Sequence, residues 1–258
     1  MLPQLNIDIP AVRNRLTSFL RTEIHNAGLQ TAIVGLSGGV DSALVGFLAA
    51  EALGIENVRF LMMPYSSSSK ESLEHAQLVL TALGGNGERI DISAAADAVI
   101  ATDSDMNRVR RGNIMARLRM IHLYDRSARE SGLVVGTGNK TEILLGYSTQ
   151  HGDAACAVNP LGNLYKTQVW LLAEAIGVPE EIVSKAPSAD LWAGQTDEGE
   201  LGFTYREVDE LLFWMTDEGL SREALLARGF DASFIDMVST RIENNMFKRM
   251  LPRIASIQ

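Results

Sequence analysis

The sequence predicts a doubly wound α/β fold, in which a mostly parallel sheet is covered by helices on both faces. Short apolar runs alternate along the chain with longer segments whose apolar residues recur at helical spacing. The apolar runs lack the polar–apolar alternation of strands that have one face in water. Hydrophobic residues make up 46% of the 258 residues, enough for a core on both sides of a sheet. We expect one domain over residues 1–258.

The first half of the chain contains the beginning of a βαβ unit. Apolar residues at helical spacing predict a leading helix over residues 11–27. The apolar run 31–36 predicts a strand, and glycines separate it from a helix predicted over 41–53. The elements predicted next are strands at 58–63, 88–92 and 133–137 and helices at 70–83 and 108–131. This alternation is typical of parallel strands joined by crossover helices.

The second half of the chain is predicted to be helical. Residues 146–160 resemble a loop in composition, and a helix is predicted over 167–176. The segment 187–205 is rich in glycine and acidic residues and has no period, which predicts a mobile segment over a site. Two further helices are predicted at 205–215 and 231–250.

The charge balance and the cysteine content restrict the function. The net charge of -9, from 32 acidic and 23 basic residues, argues against a surface that binds nucleic acid or anionic lipid. Cys156 is the single cysteine, which excludes an intramolecular disulfide or a CxxC motif and favours a reducing compartment. Prolines and charged residues interrupt the start of the chain, and no apolar run has the length of a membrane span. We expect a cytoplasmic protein that acts on small molecules, without nucleic-acid or membrane partners.

The most informative motif lies between the first strand and the next helix, at Ser37-Gly38-Gly39-Val40-Asp41-Ser42. A turn at this point directs free backbone N–H groups and the positive end of the helix dipole at one position, which favours an anion. The glycines let a phosphate approach the backbone, the serine hydroxyls add donors, and Asp41 is placed to hold Mg²⁺. The residues predicted to bind ATP here are Gly35, Leu36, Ser37, Gly38, Gly39, Val40, Asp41 and Ser42.

This motif differs from two common nucleotide-binding loops. No lysine follows the glycines as it does in the P-loop, and the motif does not have the GxGxxG spacing of dinucleotide-binding folds. The same residues also fit a structural alternative, a tight glycine turn capped by serine before an ordinary helix.

The motif resembles the pyrophosphate loop of N-type ATP pyrophosphatases, which split ATP into AMP and pyrophosphate. Residues 112–205 are similar, nearly block by block, to ammonia-dependent NAD synthetases of that superfamily. The matching blocks are residues 112–114, 116–120, 136–142, 146–147, 152–153, 159–161, 166–169, 185–192, 195–198 and 201–202. The resemblance implies a Rossmann-like, adenine nucleotide alpha hydrolase-like fold. It also implies ATP- and Mg²⁺-dependent amidation of deamido-NAD by ammonia, through an adenylated intermediate and without a side-chain nucleophile.

The resemblance also assigns roles to residues outside the loop. Thr137, Lys166 and Ser188 match ATP-binding residues, and Glu142 matches an acid that holds Mg²⁺ together with Asp41. The residues implied to contact deamido-NAD are Arg117, Gln150, Asp153, Phe247 and Lys248, with Arg119 in support of Arg117. The helix over 108–131 is implied to form the interface of a homodimer.

Ordinary structural roles remain open for three of these residues. Glu142 also fits a solvated acid in the first turn of a helix, Lys166 a charge beside a helix, and Arg117 an ion pair on an exposed helix face. The chain departs from the common family pattern on the dinucleotide side of the site, at Gln150-His151, Ala157 and Phe247.

Other kinds of protein share this type of loop or scaffold. A tRNA thiolase generally has paired cysteines and a basic surface, and neither is present in this sequence. The residues after Lys166 do not match the C-terminal block of a GMP synthetase subunit. A non-catalytic nucleotide sensor has little use for two acids and a lysine, so Asp41, Glu142 and Lys166 together favour an enzyme.

Overall fold

The computed structural model describes residues 3–192 and 194–257. The strands are β1 (Thr31–Gly35), β2 (Val58–Met62), β3 (Gly87–Arg89) and β4 (Gly132–Val134). The α-helices are α1 (Ile9–Asn26), α2 (Val40–Leu53), α3 (Lys70–Leu83), α4 (Ser93–Ile100), α5 (Arg108–Glu130), α6 (Lys140–Leu145), α7 (Lys166–Ala175), α8 (Glu180–Val183), α9 (Asp197–Leu201), α10 (Tyr205–Leu212), α11 (Arg222–Ala227) and α12 (Ala232–Asn244). A π-helical turn, Phe213–Asp217, follows α10, and a 3₁₀ turn, Met246–Arg249, follows α12.

The strands form a parallel sheet in the order β3-β2-β1-β4. Ala32 of β1 pairs with Val58 of β2 on one side and with Leu133 of β4 on the other. The chain runs outward from β1 to β2 and β3 and then returns to the opposite side for β4, so the strand order reverses between β1 and β4. In open α/β sheets, ligands bind beyond the carboxyl ends of the strands at such a switch point. The predicted doubly wound fold is confirmed.

Helices cover both faces of the sheet because successive residues of each strand point in opposite directions. Ala32 and Val34 of β1 belong to an apolar cluster with α1, α2, α3, α7 and α8 on one face. Ile33 lies on the other face, in a cluster with Ala96 of α4 and Met115 of α5. The central strand is thus buried from both sides, which explains why its sequence is a continuous apolar run.

The C-terminal helices form a third apolar cluster beside α6 and α7. Tyr205 and Leu212 of α10 are buried there with Leu145 of α6 and with Tyr165, the residue before α7. Trp170 of α7 packs against both this cluster and the cluster on the sheet. Helix α7 therefore connects the C-terminal helices to the sheet.

Several elements differ in length from the prediction. The strand predicted over 88–92 is β3, Gly87–Arg89. Backbone hydrogen bonds from Ile90 to Met62 and from Ile92 to Pro64 continue alongside β2 before the chain enters α4. The helix predicted over 231–250 ends at Asn244 and continues as the 3₁₀ turn. The helices α4, α6, α8, α9 and α11 are not predicted from the sequence, since they have only four to eight residues and show no clear period. Among the described residues, no helix combines the length and apolar composition that crossing a membrane requires.

Candidate active site

A cavity of about 1170 Å³ lies at the switch point, beyond the carboxyl ends of β1 and β4. The turn after β1, the segment after β2, the turn after β4 and the first turns of α6 and α7 contribute to its walls. The predicted site residues that line it are Gly35, Leu36, Ser37, Gly39, Val40, Asp41, Ser42, Thr137, Glu142, Asp153, Lys166, Ser188 and Lys248. Residues from distant parts of the sequence thus meet in one place.

The turn after β1 leaves backbone donors free for a ligand. Gly38 has a φ of +83°, and a Cβ at this position would lie 2.1 Å from the carbonyl oxygen of Ser72, so the turn requires glycine here. Gly39 is the N-cap of α2 and has no side chain that could bond to the first N–H groups of the helix. The first residues of α2 line the cavity, so the uncapped start of this helix offers backbone N–H groups to an anion there.

The two serines of the loop bond to the loop itself. The hydroxyl of Ser42 donates to the carbonyl of Gly39 at 3.0 Å and accepts the N–H of Ser37 at 3.2 Å. The hydroxyl of Ser37 accepts the N–H of Gly39 at 3.2 Å. The serine hydroxyls stabilise the conformation of the loop. The sequence predicts a different role for them, as donors to a phosphate.

Asp41, Glu142 and Lys166 form a buried cluster of charges beside the loop. The ammonium of Lys166 bonds to Oδ2 of Asp41 and lies 3.5 Å from Oε1 of Glu142. Asn139 donates its Nδ2 to the other oxygen of Asp41 at 2.9 Å. Lys166 is only 2% exposed, so this ion pair is shielded from water.

The first turns of two helices hold Glu142 and Lys166 in place. Glu142 forms a capping box with Asn139: its N–H donates to Oδ1 of Asn139 at 3.0 Å, and its carboxylate accepts the N–H of Asn139 at 3.2 Å. Lys166 is the first residue of α7. Both side chains therefore leave from ordered helix ends rather than from loose loops.

The cluster perturbs the protonation of its members. Burial, together with the charge of Asp41, raises the pKa of Glu142 to about 8, against an opposite effect of Lys166. Burial lowers the pKa of Lys166, but the charges of Asp41 and Glu142 outweigh it and raise that pKa above its usual range. Lys166 is thus a permanent cation, whereas Glu142 keeps its proton up to about pH 8 in this state because burial and the neighbouring charge of Asp41 disfavour a second negative charge.

This donor set fits a hard divalent cation. Two close carboxylates of like charge are stabilised by a cation between them, and carboxylate oxygens are ligands that Mg²⁺ prefers. Mg²⁺ is usually bound through one or two carboxylates together with substrate phosphates. Asp41 and Glu142 lie beside the anion site of α2, where such a phosphate would be bound.

Ser188 and Lys185 line the cavity near the phosphate loop. The hydroxyl of Ser188 accepts the N–H of Asp190 at 3.1 Å. Lys185 lies 3.1 Å from the carboxylate of Glu71 and 3.3 Å from the hydroxyl of Ser72, the residue that packs against Gly38. Lys185 belongs to one of the matching sequence blocks, but its position in the cavity was not predicted from the sequence.

Arg117 and Arg119, the arginines of α5 that the resemblance connects with the dinucleotide, have different positions. Arg117 donates to the backbone carbonyl of Gln150 from Nη2 at 3.2 Å, and neither residue is among the described residues that line the cavity. Arg119 does line the cavity and donates from Nε to the carbonyl of Met63 at 3.0 Å. The arginine expected to support its neighbour is thus the one that faces the cavity.

The remaining predicted dinucleotide contacts are divided between the cavity and the surface. Asp153 accepts the N–H of Thr149 at 2.8 Å, and the ammonium of Lys248 donates to the carbonyl of Gly146 at 2.7 Å. Both Asp153 and Lys248 line the cavity. Phe247 is 57% exposed and, within the described part of the chain, is not among the lining residues.

Asp197 ties the segment 187–205 to the body of the protein. Its carboxylate accepts the N–H of Ala189 at 3.1 Å and the hydroxyls of Tyr147 and Tyr205 at 3.1 and 3.0 Å. This segment also contains Ala193, which lies outside the described residues. Asp197 is buried. Its role is not predictable from the sequence, because an acid at a helix start has many ordinary explanations.

Two curated proteins are similar to this chain over nearly its full length. The NH(3)-dependent NAD(+) synthetase of Chlorobaculum parvum is 52% identical over 258 residues, which cover 100% of this chain and 93% of the relative. That of Trichlorobacter lovleyi is 53% identical over 256 residues, 99% of this chain and 94% of the relative. These matches extend across the loop, the acids and the lysine of the cavity.

Solved structures with the same architecture are also similar over nearly the full length. The NMN synthetase of Francisella tularensis superposes with a TM-score of 0.87 at 31% identity, covering 98% of this chain and 100% of that chain. The NH3-dependent NAD synthetase of Campylobacter jejuni does so with a TM-score of 0.83 at 36% identity, covering 97% and 100%. The NAD synthase family model matches residues 12–252. The chain therefore belongs to the NAD synthase family, as its sequence blocks predict.

Proposed function

We propose that the protein catalyses the ATP-dependent amidation of deamido-NAD to NAD, with ammonia as nitrogen donor and with AMP and pyrophosphate as products. The observation that carries this proposal is the cluster of Asp41, Glu142 and Lys166 beside an anion-binding helix start, in a member of the NAD synthase family. The relatives with about half of their residues identical are named for this activity.

The chemistry requires activation of a carboxylate, since hydroxide is a poor leaving group. An oxygen of the nicotinate carboxylate attacks the α-phosphorus of ATP, the bond to the β-phosphate breaks, and pyrophosphate leaves. Ammonia then attacks the carboxyl carbon of the adenylate, loses a proton and displaces AMP. The protein contributes by positioning the reactants and by stabilising charge, so no side-chain nucleophile is needed.

Each residue of the cluster has a role in the first step. The N–H groups at the start of α2 bind the phosphates, while Thr137 and Ser188 add hydroxyls from the cavity wall. Lys166 stabilises the negative charge that develops on the leaving pyrophosphate. Asp41 and Glu142 would hold Mg²⁺, which would neutralise phosphate charge and polarise the attacked phosphorus.

The dinucleotide is placed on the side of the cavity toward α5. We assign Asp153, Lys248 and Arg119, which line the cavity, to its binding. Arg117, Gln150 and Phe247 are not among the described residues that line the cavity, and their assignment to the dinucleotide rests on the sequence resemblance alone. Three apolar side chains of α5, Val109, Ile121 and Tyr124, are exposed in the single chain, and they support a homodimer that buries this helix. Cytoplasmic location and Mg²⁺ as the metal complete the proposal.

A second acceptor is favoured by one observation. The structure that superposes with a TM-score of 0.87 is named an NMN synthetase, whose acid substrate would be nicotinic acid mononucleotide. The mononucleotide carries the same nicotinate carboxylate but lacks the adenosine half. A binding site formed only around the nicotinate end accepts both molecules.

The experiment is a product assay with purified protein, ATP and Mg²⁺. Deamido-NAD and nicotinic acid mononucleotide are compared as acceptors, and ammonium and glutamine as nitrogen sources. We expect equal amounts of NAD and AMP from deamido-NAD with ammonium alone. Amidation of the mononucleotide only would replace the proposed substrate, and AMP formation without any amide would refute amidation.

Two variants, a test and its matched control, each replace one carboxylate by an amide in this assay. Asp41→Asn removes a metal ligand and is expected to reduce AMP formation at least about a hundredfold while the protein stays folded. Glu174→Gln makes the same change of charge at an exposed position of α7 and is expected to retain full activity. An active Asp41→Asn variant would contradict the assigned role of Asp41.

A further inference from the structure

A further carboxylate, that of Asp209, is buried next to the helix starts that carry the charged cluster. Asp209 lies on α10 and is 0% exposed. Its Oδ1 accepts the hydroxyl of Thr141 at 2.5 Å, and its Oδ2 accepts the backbone N–H of Thr167 at 2.8 Å. The same hydroxyl of Thr141 accepts the backbone N–H of Lys166 at 3.0 Å.

These bonds join the starts of two helices. Thr141 precedes Glu142 in α6, and Thr167 follows Lys166 in α7. A single carboxylate therefore bonds to the neighbour of the metal-binding acid and to the neighbour of the phosphate-binding lysine. The relative position of Glu142 and Lys166, 3.5 Å apart, depends on this link between the helices.

Burial of this group is costly for the fold, which argues for a role other than packing. Burial raises the pKa of Asp209 to about 6, while the bonds from Thr141 and Thr167 act in the opposite direction. The surroundings on α10 are the buried apolar residues Val208, Leu211 and Leu212, so a leucine at this position would avoid the cost of a buried charge. The retained carboxylate is explained if its two oxygens are needed for geometry.

We propose that Asp209 is a positioning residue that fixes Lys166 and Glu142 at the distance needed to bind Mg²⁺ and the phosphates of ATP. This inference rests on the proposed use of ATP but not on the identity of the acceptor. By this proposal the C-terminal helices contribute to the active site, since α10 carries the residue that aligns α6 and α7.

The test measures binding rather than turnover. The Kd for a complex of Mg²⁺ with α,β-methylene-ATP is determined by calorimetry for the wild type, Asp209→Asn, Lys166→Met and the double variant. Asn keeps the size of the side chain but replaces one acceptor by a donor. We expect Asp209→Asn to weaken binding about tenfold in the wild-type background and less than about twofold in the Lys166→Met background.

If Asp209→Asn weakened nucleotide binding by the same factor in the wild-type and Lys166→Met backgrounds, the proposal would be overturned, because a purely structural role does not depend on Lys166. The control Glu210→Gln changes the charge of the next residue on α10 and is expected to leave the Kd unchanged. If an Asp209 variant does not fold, the same Kd is measured for Thr141→Val, which removes the hydroxyl, and for Thr141→Ser, which keeps it. Loss of affinity with valine and recovery with serine support the link, and equal affinities would refute it. Failure of the proposed amidation appears separately, as a wild type that binds the nucleotide but forms no amide.

Discussion

At the scale of single residues, the central feature is an ammonium group between two carboxylates. Lys166 bonds to Asp41 and lies near Glu142, which is the position that a metal ion shared by these acids would use. When Mg²⁺ and ATP bind, the ammonium is expected to move toward the phosphates. Lys166 thus stabilises the carboxylate pair before the nucleotide arrives and competes with a metal that arrives alone.

This competition predicts the effect of removing the charge. Lys166→Met should strengthen binding of Mn²⁺ to the nucleotide-free protein about tenfold, because a cation no longer repels the metal from its ligands. Mn²⁺ titration followed by electron paramagnetic resonance measures this affinity. Lys140→Met is the matched control, since Lys140 starts α6 but bonds to Asp217 instead. Unchanged or weaker Mn²⁺ binding in Lys166→Met would contradict the competition.

The buried acid of the pair predicts a dependence of stability on pH. The pKa of Glu142 is raised in the folded state to about 8, so between its unfolded value and pH 8 the folded protein retains a proton that the unfolded chain releases. The stability of the nucleotide-free protein should therefore fall as pH rises through this range. The melting temperature is measured from about pH 5 to about pH 8. It should fall less steeply with rising pH for Glu142→Gln than for the wild type. Parallel curves would exclude Glu142 as a source of the decline.

Single residues also mark the limit of what the sequence predicts. The glycine–serine loop was identifiable because its residues are contiguous and their chemistry points to phosphate. Asp209 and Asp197 were missed, because a buried acid in a helix has no local signature and its partners lie far away in the sequence. The difference between Arg117 and Arg119 depends on which side of α5 faces the cavity, and a cluster of arginines does not reveal it.

At the scale of elements, the turn between β1 and α2 sets the anion site. The turn works because Gly38 combines a left-handed conformation with close approach to the carbonyl of Ser72 on α3. Both requirements must be met for the N–H groups of α2 to face the cavity. This turn is predictable from the sequence, whereas the short helices that complete the site are seen only in the structure. Their formation depends on caps, such as the capping box of Asn139 and Glu142 on α6.

The two requirements at Gly38 can be separated by a matched pair of variants. Gly84 also has a positive φ, +65°, but a Cβ there would have nothing within 4 Å. Gly84→Ala should cost only about 1 kcal/mol of unfolding free energy from backbone strain. Gly38→Ala should cost more than about 2 kcal/mol and abolish nucleotide binding, because the methyl group displaces the loop. Denaturation curves and calorimetry measure both effects, and equal behaviour of the two variants would argue against the close contact.

At the scale of the whole molecule, strand order explains why the site lies where it does. The reversal between β1 and β4 brings the loop after β1 next to the segment after β4, and the C-terminal helices then pack against α6 and α7. The sequence predicted the parallel sheet and its crossover helices, because buried strands and amphipathic helices have distinct periods. It did not predict how the C-terminal helices pack, since that depends on side chains from many elements.

The proposed homodimer is testable through α5. Ile121 is 54% exposed in the single chain, and an aspartate at this position would be buried without a partner in a dimer formed by α5. Ile121→Asp should shift the protein from dimer to monomer by light scattering after size exclusion. Leu78→Asp on α3, another exposed apolar residue, should leave the mass unchanged. An Ile121→Asp variant that remains a dimer would place the interface elsewhere.

The measurement that tests the central claim most directly follows the oxygen atoms of the substrate. Deamido-NAD labelled with ¹⁸O in its nicotinate carboxylate is converted with ATP, Mg²⁺ and ammonium, and the products are analysed by mass spectrometry. Because the carboxylate oxygen attacks the α-phosphorus, we predict one ¹⁸O atom in each AMP released and none in pyrophosphate. Label in pyrophosphate, or AMP without label, would contradict adenylation of the nicotinate at the site formed by Asp41, Glu142 and Lys166.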